Sequence, residues 1–224
     1  MNHNLQTLLQ KHPELSAISA ELERAAEAIV ACFRAGGKVL ICGNGGSAAD
    51  AEHLVGELMK SYLAPRPVPE AVRRALAAAS PEYGPYLAEH LQGALPAISL
   101  VSQVGLLTAI ANDIAGDMIF AQQVYGYGRP GDLLIAISTS GNSRNILRAA
   151  EVARALDMRV LGFTNRSGGA LAPLCTVCVR APADRTADVQ EYHLATYHAL
   201  CALVEEALFV PGGANVGEKA HVQR

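Results

Sequence analysis

Two separate segments of the sequence carry side chains that could transfer protons. His53 and Glu57 are four residues apart in a segment with a helical pattern, so they share one helix face. Gln190 and His198 are two turns apart in a later helical segment, so they also lie near one face. The pKa values of glutamate and histidine can be tuned for acid–base catalysis. Taken alone, the pattern equally fits side chains exposed on helix surfaces.

The same four side chains offer nitrogen and oxygen donors, which zinc accepts as ligands. The His-x-x-x-Glu spacing is also common on surface helices, so spacing alone leaves both interpretations open. Cys175 and Cys178 form a CxxC pair, but they lie in an apolar run and the chain has no second pair. That context is typical of a strand rather than of a metal or redox site.

A glycine-rich loop at residues 43–50, Gly-Asn-Gly-Gly-Ser-Ala-Ala-Asp, follows an apolar run and precedes a helical pattern. Glycines let the backbone approach an anion closely, and the start of a helix attracts negative charge. We expect Ser47 to cap that helix. An ordinary strand-to-helix turn is the alternative. The candidate binding residues of this loop are Asn44, Gly45, Gly46 and Ser47.

A second loop, Ser-Thr-Ser-Gly-Asn-Ser at residues 138–143, also follows an apolar run and precedes a helical pattern. Its hydroxyls and backbone N–H groups can donate hydrogen bonds to phosphate oxygens. A helix cap needs one hydroxyl, whereas this loop has four, at Ser138, Thr139, Ser140 and Ser143. Both loops should lie at the carboxyl ends of parallel strands, where ligands bind.

Short apolar runs alternate with helical patterns along most of the chain. Alternation of this kind predicts an α/β fold with a parallel sheet covered on both faces, a three-layer αβα sandwich with five strands. The five predicted strands lie in residues 38–43, 97–101, 132–138, 159–164 and 175–180.

An extra helix is predicted before the sheet, over residues 15–33. Its wide apolar face, which includes Leu15, Leu22 and Ile29, would pack best against another subunit, so we expect a homo-oligomer. Residues 64–96 form a proline-bounded insertion with two short helical patterns, and we expect it to flank the candidate site beyond Glu57 or to be a surface connection. Residues 211–224 are predicted to be a disordered tail.

Composition predicts one globular domain spanning residues 1–224. The formal net charge is −3 and no Lys/Arg run exists, so nucleic acid is not expected as a partner. No apolar run is long enough for a membrane helix, and the first residues do not form a signal peptide. Five cysteines in apolar surroundings predict reduced thiols in the cytoplasm.

Several of these segments resemble the sugar isomerase (SIS) domain, and within that group the phosphoheptose isomerases. The matching pieces are Cys-Gly-Asn-Gly-Gly-Ser-Ala-Ala-Asp-Ala-Glu-His at 42–53, Ala-Asn-Asp at 111–113, the hydroxyl-rich loop at 138–143, and Asp-Val-Gln-Glu-Tyr-His at 188–193 leading to His198. The loop at 138–143 is typical of SIS domains generally. Combined with His53, Glu57, Gln190 and His198, it points to the heptose-isomerase branch.

This resemblance implies a flavodoxin-like αβα fold and an aldose–ketose isomerase acting on sedoheptulose 7-phosphate or a similar phosphosugar. It implies Glu57 and His198 as the proton-transfer pair, and zinc held by His53, Glu57, Gln190 and His198. It also implies tetramers with shared active sites and adds Asn112, Asp113 and Gln190 to the substrate-binding residues. A non-catalytic SIS module that senses phosphosugars or contacts a protein is the alternative.

The sequence departs from the family pattern near the sugar end. Family members have a shorter link where residues 64–96 lie here. They carry Gly-Arg where this chain has Lys60 and Ser61, and an Asp where it has Ala187. These differences leave the expected fold unchanged and concern the choice of sugar.

Overall fold

The computed structural model describes residues 2–210, so the predicted disordered tail lies outside the described residues. The α-helices are α1 His3–Lys11, α2 Ser19–Arg34, α3 Gly46–Met59, α4 Glu70–Ala79, α5 Gly84–His90, α6 Val104–Asp113, α7 Ala121–Tyr127, α8 Arg144–Ala155 and α9 Thr186–Phe209. Three short 3-10 helices cover Pro13–Ile18, Gly116–Met118 and Ala172–Leu174.

The strands form one parallel sheet in the order β2-β1-β3-β4-β5. Each strand lies inside a predicted segment: β1 Val39–Cys42, β2 Ala97–Ser99, β3 Leu133–Ile137, β4 Arg159–Thr164 and β5 Val177–Arg180. This order is that of flavodoxin-like sheets, in which the chain reverses direction between β1 and β3. The predicted α/β fold with five parallel strands is confirmed.

The two faces of the sheet bury separate cores, because successive side chains of a strand point to opposite faces. In β1, Val39 and Ile41 pack into one core with α1, α2, α3 and α9. Leu40 and Cys42 pack into the other core, where α7 and α8 supply the covering side chains. The three-layer αβα arrangement follows from this alternation.

The extra N-terminal helix is present, but its apolar face is used differently from our expectation. Leu15, Leu22 and Ile29 are at most 3% exposed within a single chain. They pack in the core that α9 and the sheet share. The interpretation of this face as a subunit contact is therefore wrong, because a helix 150 residues later in the sequence supplies its partner. Helix α1 was not predicted, although Leu5, Leu8 and Leu9 recur at helical spacing after Asn2, which caps it.

The 64–96 insertion contains the two expected helices, α4 and α5, which pack against each other. Both of its ends return to the last turn of α3. Arg66, near its start, is 1% exposed and donates to the carbonyl oxygens of Glu57 and Leu58. Gln92, near its end, accepts from the Ser61 backbone N–H (2.8 Å). The insertion thus begins and ends beside a candidate catalytic residue.

His193, the last residue of the 188–193 segment, is buried within α9. It is 1% exposed and lies edge-on to Phe163, with ring centroids 5.5 Å apart. Its Nε2 lies 3.1 Å from the Thr164 carbonyl oxygen, so Nε2 carries the proton, and the buried Nδ1 has no hydrogen-bond partner within residues 2–210. Burial lowers the pKa of His193 to about 4 from its usual 6.5.

Because His193 is buried with a lowered pKa, we predict that the folded protein loses stability in acid. Between pH 6.5 and about 4 the unfolded chain binds a proton at His193 that the folded chain excludes, so the free energy of unfolding should fall as pH falls through this window. The loss should reach roughly 3 kcal/mol. Urea unfolding at a series of pH values measures it. His193→Gln, which can still donate to Thr164, should flatten that slope.

Exposed His90 provides the matched control. His90→Gln should keep the wild-type slope. If His193→Gln has the same pH dependence as the wild type, His193 does not titrate differently on folding.

Candidate active site

The two predicted phosphate loops lie side by side at the carboxyl edge of the sheet. The first connects β1 to α3 and the second connects β3 to α8, and β1 and β3 are neighbouring strands. Because the chain leaves β1 in one direction along the sheet and β3 in the other, these loops border the crevice where such sheets bind ligands. The prediction that they share one edge is confirmed.

The first loop depends on glycine at each turn of the backbone. Gly45 precedes α3 with φ +56° and ψ −120°, in a region that only glycine adopts readily. A Cβ at Gly43 would lie 2.5 Å from the Ser47 carbonyl carbon. Ser47 does not cap the helix as expected, since it lies inside the first turn, 3% exposed. Among residues 2–210 no side chain caps α3; the N–H groups of Ser47 and Ala48 donate to the Asn44 and Gly45 carbonyl oxygens, which leaves the Gly46 N–H at the start of the helix to face an anion.

The second loop arranges its hydroxyls in two groups. The Ser138 hydroxyl is 3.1 Å from the Ser143 hydroxyl across the loop, while Ser140 is exposed at the tip and its oxygen accepts the Asn142 N–H. Gly141 has φ +67°, and a Cβ there would lie 2.7 Å from the Gly168 carbonyl carbon. Ser143 precedes α8 but makes no capping bond with its side chain. Several hydroxyls therefore remain able to reorient toward a ligand.

A pair of asparagines joins the two loops. Asn44 Nδ2 donates to Asn145 Oδ1 (2.9 Å), and Asn145 Nδ2 donates back to Asn44 Oδ1 (2.8 Å). Asn44 was predicted as a binding residue, whereas Asn145 was not. Its only sequence signal is its position two residues after the hydroxyl-rich loop.

A cluster of proton-transfer groups lies at the other end of α3. His53 Nε2 is 3.3 Å from Glu57 Oε1 and 3.3 Å from His198 Nε2. We call His53, Glu57 and His198 the reaction cluster. The Glu57 side chain is 13% exposed, and its second oxygen accepts from Lys60 (3.2 Å). Burial, and then the neighbouring His53, lower the pKa of His198, which favours a neutral imidazole at neutral pH.

α3 and α9 bring these residues together because they pack side by side and run in the same direction. Gly46 contacts Gln190 near their starts, His53 contacts His198 in the middle, and Tyr62, just after α3, contacts Glu205 near the end of α9. A Cβ at Gly46 would lie 3.0 Å from Gln190 Cδ, so glycine allows this close approach. The predicted pairing of an early helix with a late one is present within one chain.

Two aromatic side chains enclose the histidines. The Tyr197 hydroxyl is 2.9 Å from His53 Nδ1 and 3.3 Å from Asp50 Oδ1. Burial, and then Asp50, raise the pKa of Tyr197, and burial raises the pKa of the Asp50 carboxyl. Tyr62 stacks on His198 with ring centroids 5.9 Å apart. His198 and Tyr62 also border a cavity of about 340 Å³ between α1 and α9.

The remaining predicted binding residues lie outside the reaction cluster. Gln190 contacts Gly46 beside the first loop, and it precedes His198 by about 12 Å along the helix axis. Asn112 and Asp113 end α6, are exposed, and hydrogen-bond to each other (2.8 Å). Within residues 2–210, no hydrogen bond connects that pair to either loop.

The reaction cluster has some of the ligand types and ligand-to-ligand distances of a zinc site. Two ligands of a tetrahedral zinc ion, each about 2.0–2.1 Å from the metal, stand about 3.3 Å apart. The distances from His53 Nε2 to Glu57 Oε1 and to His198 Nε2 both have that value. However, no group of three or more His, Cys, Asp or Glu side chains in the described part of the chain is arranged to hold an ion. The donor chemistry fits zinc, whereas the full ligand set is not assembled.

Comparison with known proteins places the chain in a class. The family model of the SIS domain matches residues 3–80 and 79–165 of this sequence. Phosphoheptose isomerase from Rhodospirillum rubrum is 43% identical over 187 residues, which cover 84% of this chain and 86% of that protein. The chain therefore belongs to the phosphoheptose isomerase family of SIS-domain proteins.

Solved structures agree with this assignment. A phosphoheptose isomerase from Francisella tularensis superposes with a TM-score of 0.70 at 34% identity, covering 90% of this chain and 94% of that one. The phosphoheptose isomerase from Neisseria gonorrhoeae has a TM-score of 0.69 at 33% identity, covering 90% and 92%. Among residues 2–210, no helix is both long and apolar enough to span a membrane.

The second loop generates a binding prediction. Replacing Ser140 and Ser143 together by alanine removes two hydroxyl donors from the loop. Hydrogen bonds to charged groups contribute about 1.5–3 kcal/mol each, so the Kd for a sugar phosphate should rise at least about tenfold. Isothermal titration calorimetry measures the Kd, and the melting curve should stay close to that of the wild type.

Ser16→Ala removes an exposed hydroxyl from the N-terminal 3-10 helix and should leave the Kd unchanged. An unchanged Kd in the folded Ser140/Ser143 variant would remove these two hydroxyls from the binding site.

Proposed function

We propose that the protein interconverts sedoheptulose 7-phosphate and glycero-manno-heptose 7-phosphate by proton transfer through an enediol. The observation that carries this proposal is the reaction cluster on the helix whose first turn belongs to a phosphate-type loop. Glu57 lies about 15 Å along the axis from Ser47. A sugar phosphate with a long carbon chain could therefore contact both ends of α3. The chain is an isomerase by family.

The phosphate end uses neutral donors and a helix dipole. The Gly46 N–H at the start of α3 and the hydroxyls of Ser138, Thr139, Ser140 and Ser143 would hold the phosphate oxygens. The Asn44–Asn145 pair keeps the two loops at a fixed spacing. Binding at this end positions the carbonyl end of the sugar near Glu57.

The chemical end exchanges one proton between two neighbouring carbons. In this mechanism the Glu57 carboxylate removes the proton from the carbon beside the carbonyl, which gives the enediol. A neutral His198 can donate its proton to the carbonyl oxygen as negative charge develops there, and it can then take a proton from the hydroxyl on the neighbouring carbon, which becomes the new carbonyl. Lys60 donates to Glu57 Oε2 at 3.2 Å and so helps to orient the carboxylate. Return of the proton to the neighbouring carbon completes the isomerisation.

A non-catalytic SIS module would need only the two loops. It has no use for a carboxylate and two imidazoles within hydrogen-bonding distance of one another, at the far end of the helix that begins at the first loop. The isomerase names of the relatives at 33–43% identity also favour catalysis.

We also propose that zinc binds at His53, Glu57, His198 and Gln190. The donor types and the two 3.3 Å separations support it, and Gln190 would have to turn from Gly46 toward the cluster. Bound zinc would supply Lewis-acid polarisation of the sugar carbonyl. The proton-transfer steps above involve only the protein side chains.

The proposal includes a cytoplasmic homotetramer. Exposed apolar side chains on and beside α6 and α7, such as Val104 (67%), Ile114 (59%) and Tyr125 (66%), support association. They are a better basis for it than the buried face of α2. The reduced state expected of the cytoplasm agrees with the five free cysteines.

Glu57→Gln tests the base. The change keeps the size and hydrogen-bonding capacity of the side chain but removes the basic carboxylate, so kcat should fall about 10²–10⁴-fold with a much smaller change in substrate affinity. The wild type should also wash deuterium from D₂O into the sugar, and the variant should not. Glu52→Gln, on an exposed face of the same helix, is the matched control. Near-normal exchange in a folded Glu57→Gln protein would exclude Glu57 as the base.

Removal of metal tests the zinc proposal separately. Zinc content by mass spectrometry should be close to one ion per chain in the wild type and should fall in His53→Gln and Glu57→Gln. Dialysis against a chelator should lower kcat, and added zinc should restore it. Full activity in protein shown to contain no metal would leave the reaction to the side chains alone.

A further inference from the structure

A buried polar pair lies behind the reaction cluster and is not used by the proposed chemistry. Tyr197 is 1% exposed, and its hydroxyl is placed between His53 Nδ1 (2.9 Å) and Asp50 Oδ1 (3.3 Å). The other oxygen of Asp50, Oδ2, is buried and has no hydrogen-bond partner among the described residues. The Tyr197 ring meets the His53 ring edge-on, with centroids 5.4 Å apart.

The number of available protons indicates which atom donates in the Tyr197–His53 and Tyr197–Asp50 hydrogen bonds. The Tyr197 hydroxyl has one proton to donate and can accept others, whereas an ionised Asp50 can only accept. If Tyr197 donated to His53, neither oxygen of an ionised Asp50 would have a donor among the described residues, which is costly because Oδ2 is buried. The favourable arrangement has Tyr197 donating to Asp50 and His53 Nδ1–H donating to the Tyr197 oxygen.

We propose that Tyr197 and Asp50 are positioning residues that hold His53 as the Nδ1–H tautomer, with a bare Nε2 directed at Glu57 and His198. The proposal rests on the proposed function insofar as His53 belongs to a reaction centre. Asp50 and His53 are three residues apart on α3 and share a face, and Tyr197 reaches them from α9. The pair therefore fixes the ring of His53 from the side opposite the cluster.

A bare Nε2 is the form that a metal-binding His53 requires. A bare Nε2 and an ionised Glu57 Oε1 are two acceptors 3.3 Å apart, so this arrangement needs a cation between them to offset their repulsion. As a metal ligand, an imidazole must present an unprotonated nitrogen, while its other N–H is held by a neighbouring group. Hydrogen-bond partners of this kind are worth about 10- to 100-fold in activity or metal affinity.

The tautomer is measured directly by NMR of protein labelled with ¹⁵N in its seven histidines. The loss of one signal set in His53→Gln assigns the His53 ring. In the wild type at neutral pH, His53 should carry its proton on Nδ1, and a metal on Nε2 would leave that proton in place. In Tyr197→Phe the hydroxyl is gone, so the Nδ1–H form should lose its dominance. The same variant should lose about 10- to 100-fold in kcat, with KM changing much less.

Tyr62→Phe is the matched control. It removes a hydroxyl from a second tyrosine beside the cluster, but Tyr62 meets His198 through its ring. The His53 signals of this variant should match those of the wild type.

A wild-type His53 with its proton on Nε2, or identical His53 signals in wild type and folded Tyr197→Phe, would overturn the proposal. If Tyr197→Phe does not fold, the wild-type spectrum alone decides. These outcomes are independent of turnover. A wild type inactive on every sugar phosphate tested would contradict the proposed function and leave the tautomer result unaffected.

Discussion

The buried ion pair between Arg66 and Glu205 fixes the end of α3 against α9, and the geometry of the reaction cluster depends on that contact. The two side chains are at most 1% exposed and their charged atoms are 2.6 Å apart. Glu205 also accepts the backbone N–H groups of Tyr62, Leu63 and Ala64. Arg66 satisfies the carbonyl oxygens of Glu57 and Leu58, which the end of a helix leaves without partners. Removing one member of such a pair costs about 3–5 kcal/mol, because it leaves the other charge buried and unpaired.

The layers of the fold could be predicted from local patterns, whereas the partners of individual faces could not. A run such as Leu133–Ile137 must be buried on both sides, so its neighbours must be helices. The apolar face of α2 shows only that Leu22 and Ile29 must be buried against some other element. Nothing in its spacing says whether α9 or another subunit supplies that cover, and this is why the subunit interpretation was wrong.

The candidate site likewise has features that local sequence patterns predict and contacts that they do not. The two loops could be recognised because each follows a strand and contains residue types suited to anions. The meeting of His53 with His198 depends on two helices packing across 145 positions of sequence, and only the family resemblance brought those residues together before the structure did. Tyr197 was missed because a tyrosine on an apolar helix face looks like core. The one available signal was Asp50, a charged residue one turn before His53 on the face that enters the core.

α3 works as a rigid link between the two halves of the proposed reaction. Its first turn belongs to the loop that would hold a phosphate, and its last turn carries Glu57. Since a helix barely changes length, the distance from phosphate to base is set by the number of residues between them. The departures from the family pattern at Lys60 and Ser61, and the insertion that follows, all lie at the end near Glu57. These departures therefore lie where the carbon chain and its hydroxyls would be contacted, whereas the departure at Ala187 lies three residues before Gln190, which contacts Gly46 beside the first loop. A site built on one helix in this way can change its choice of sugar without disturbing how phosphate is held.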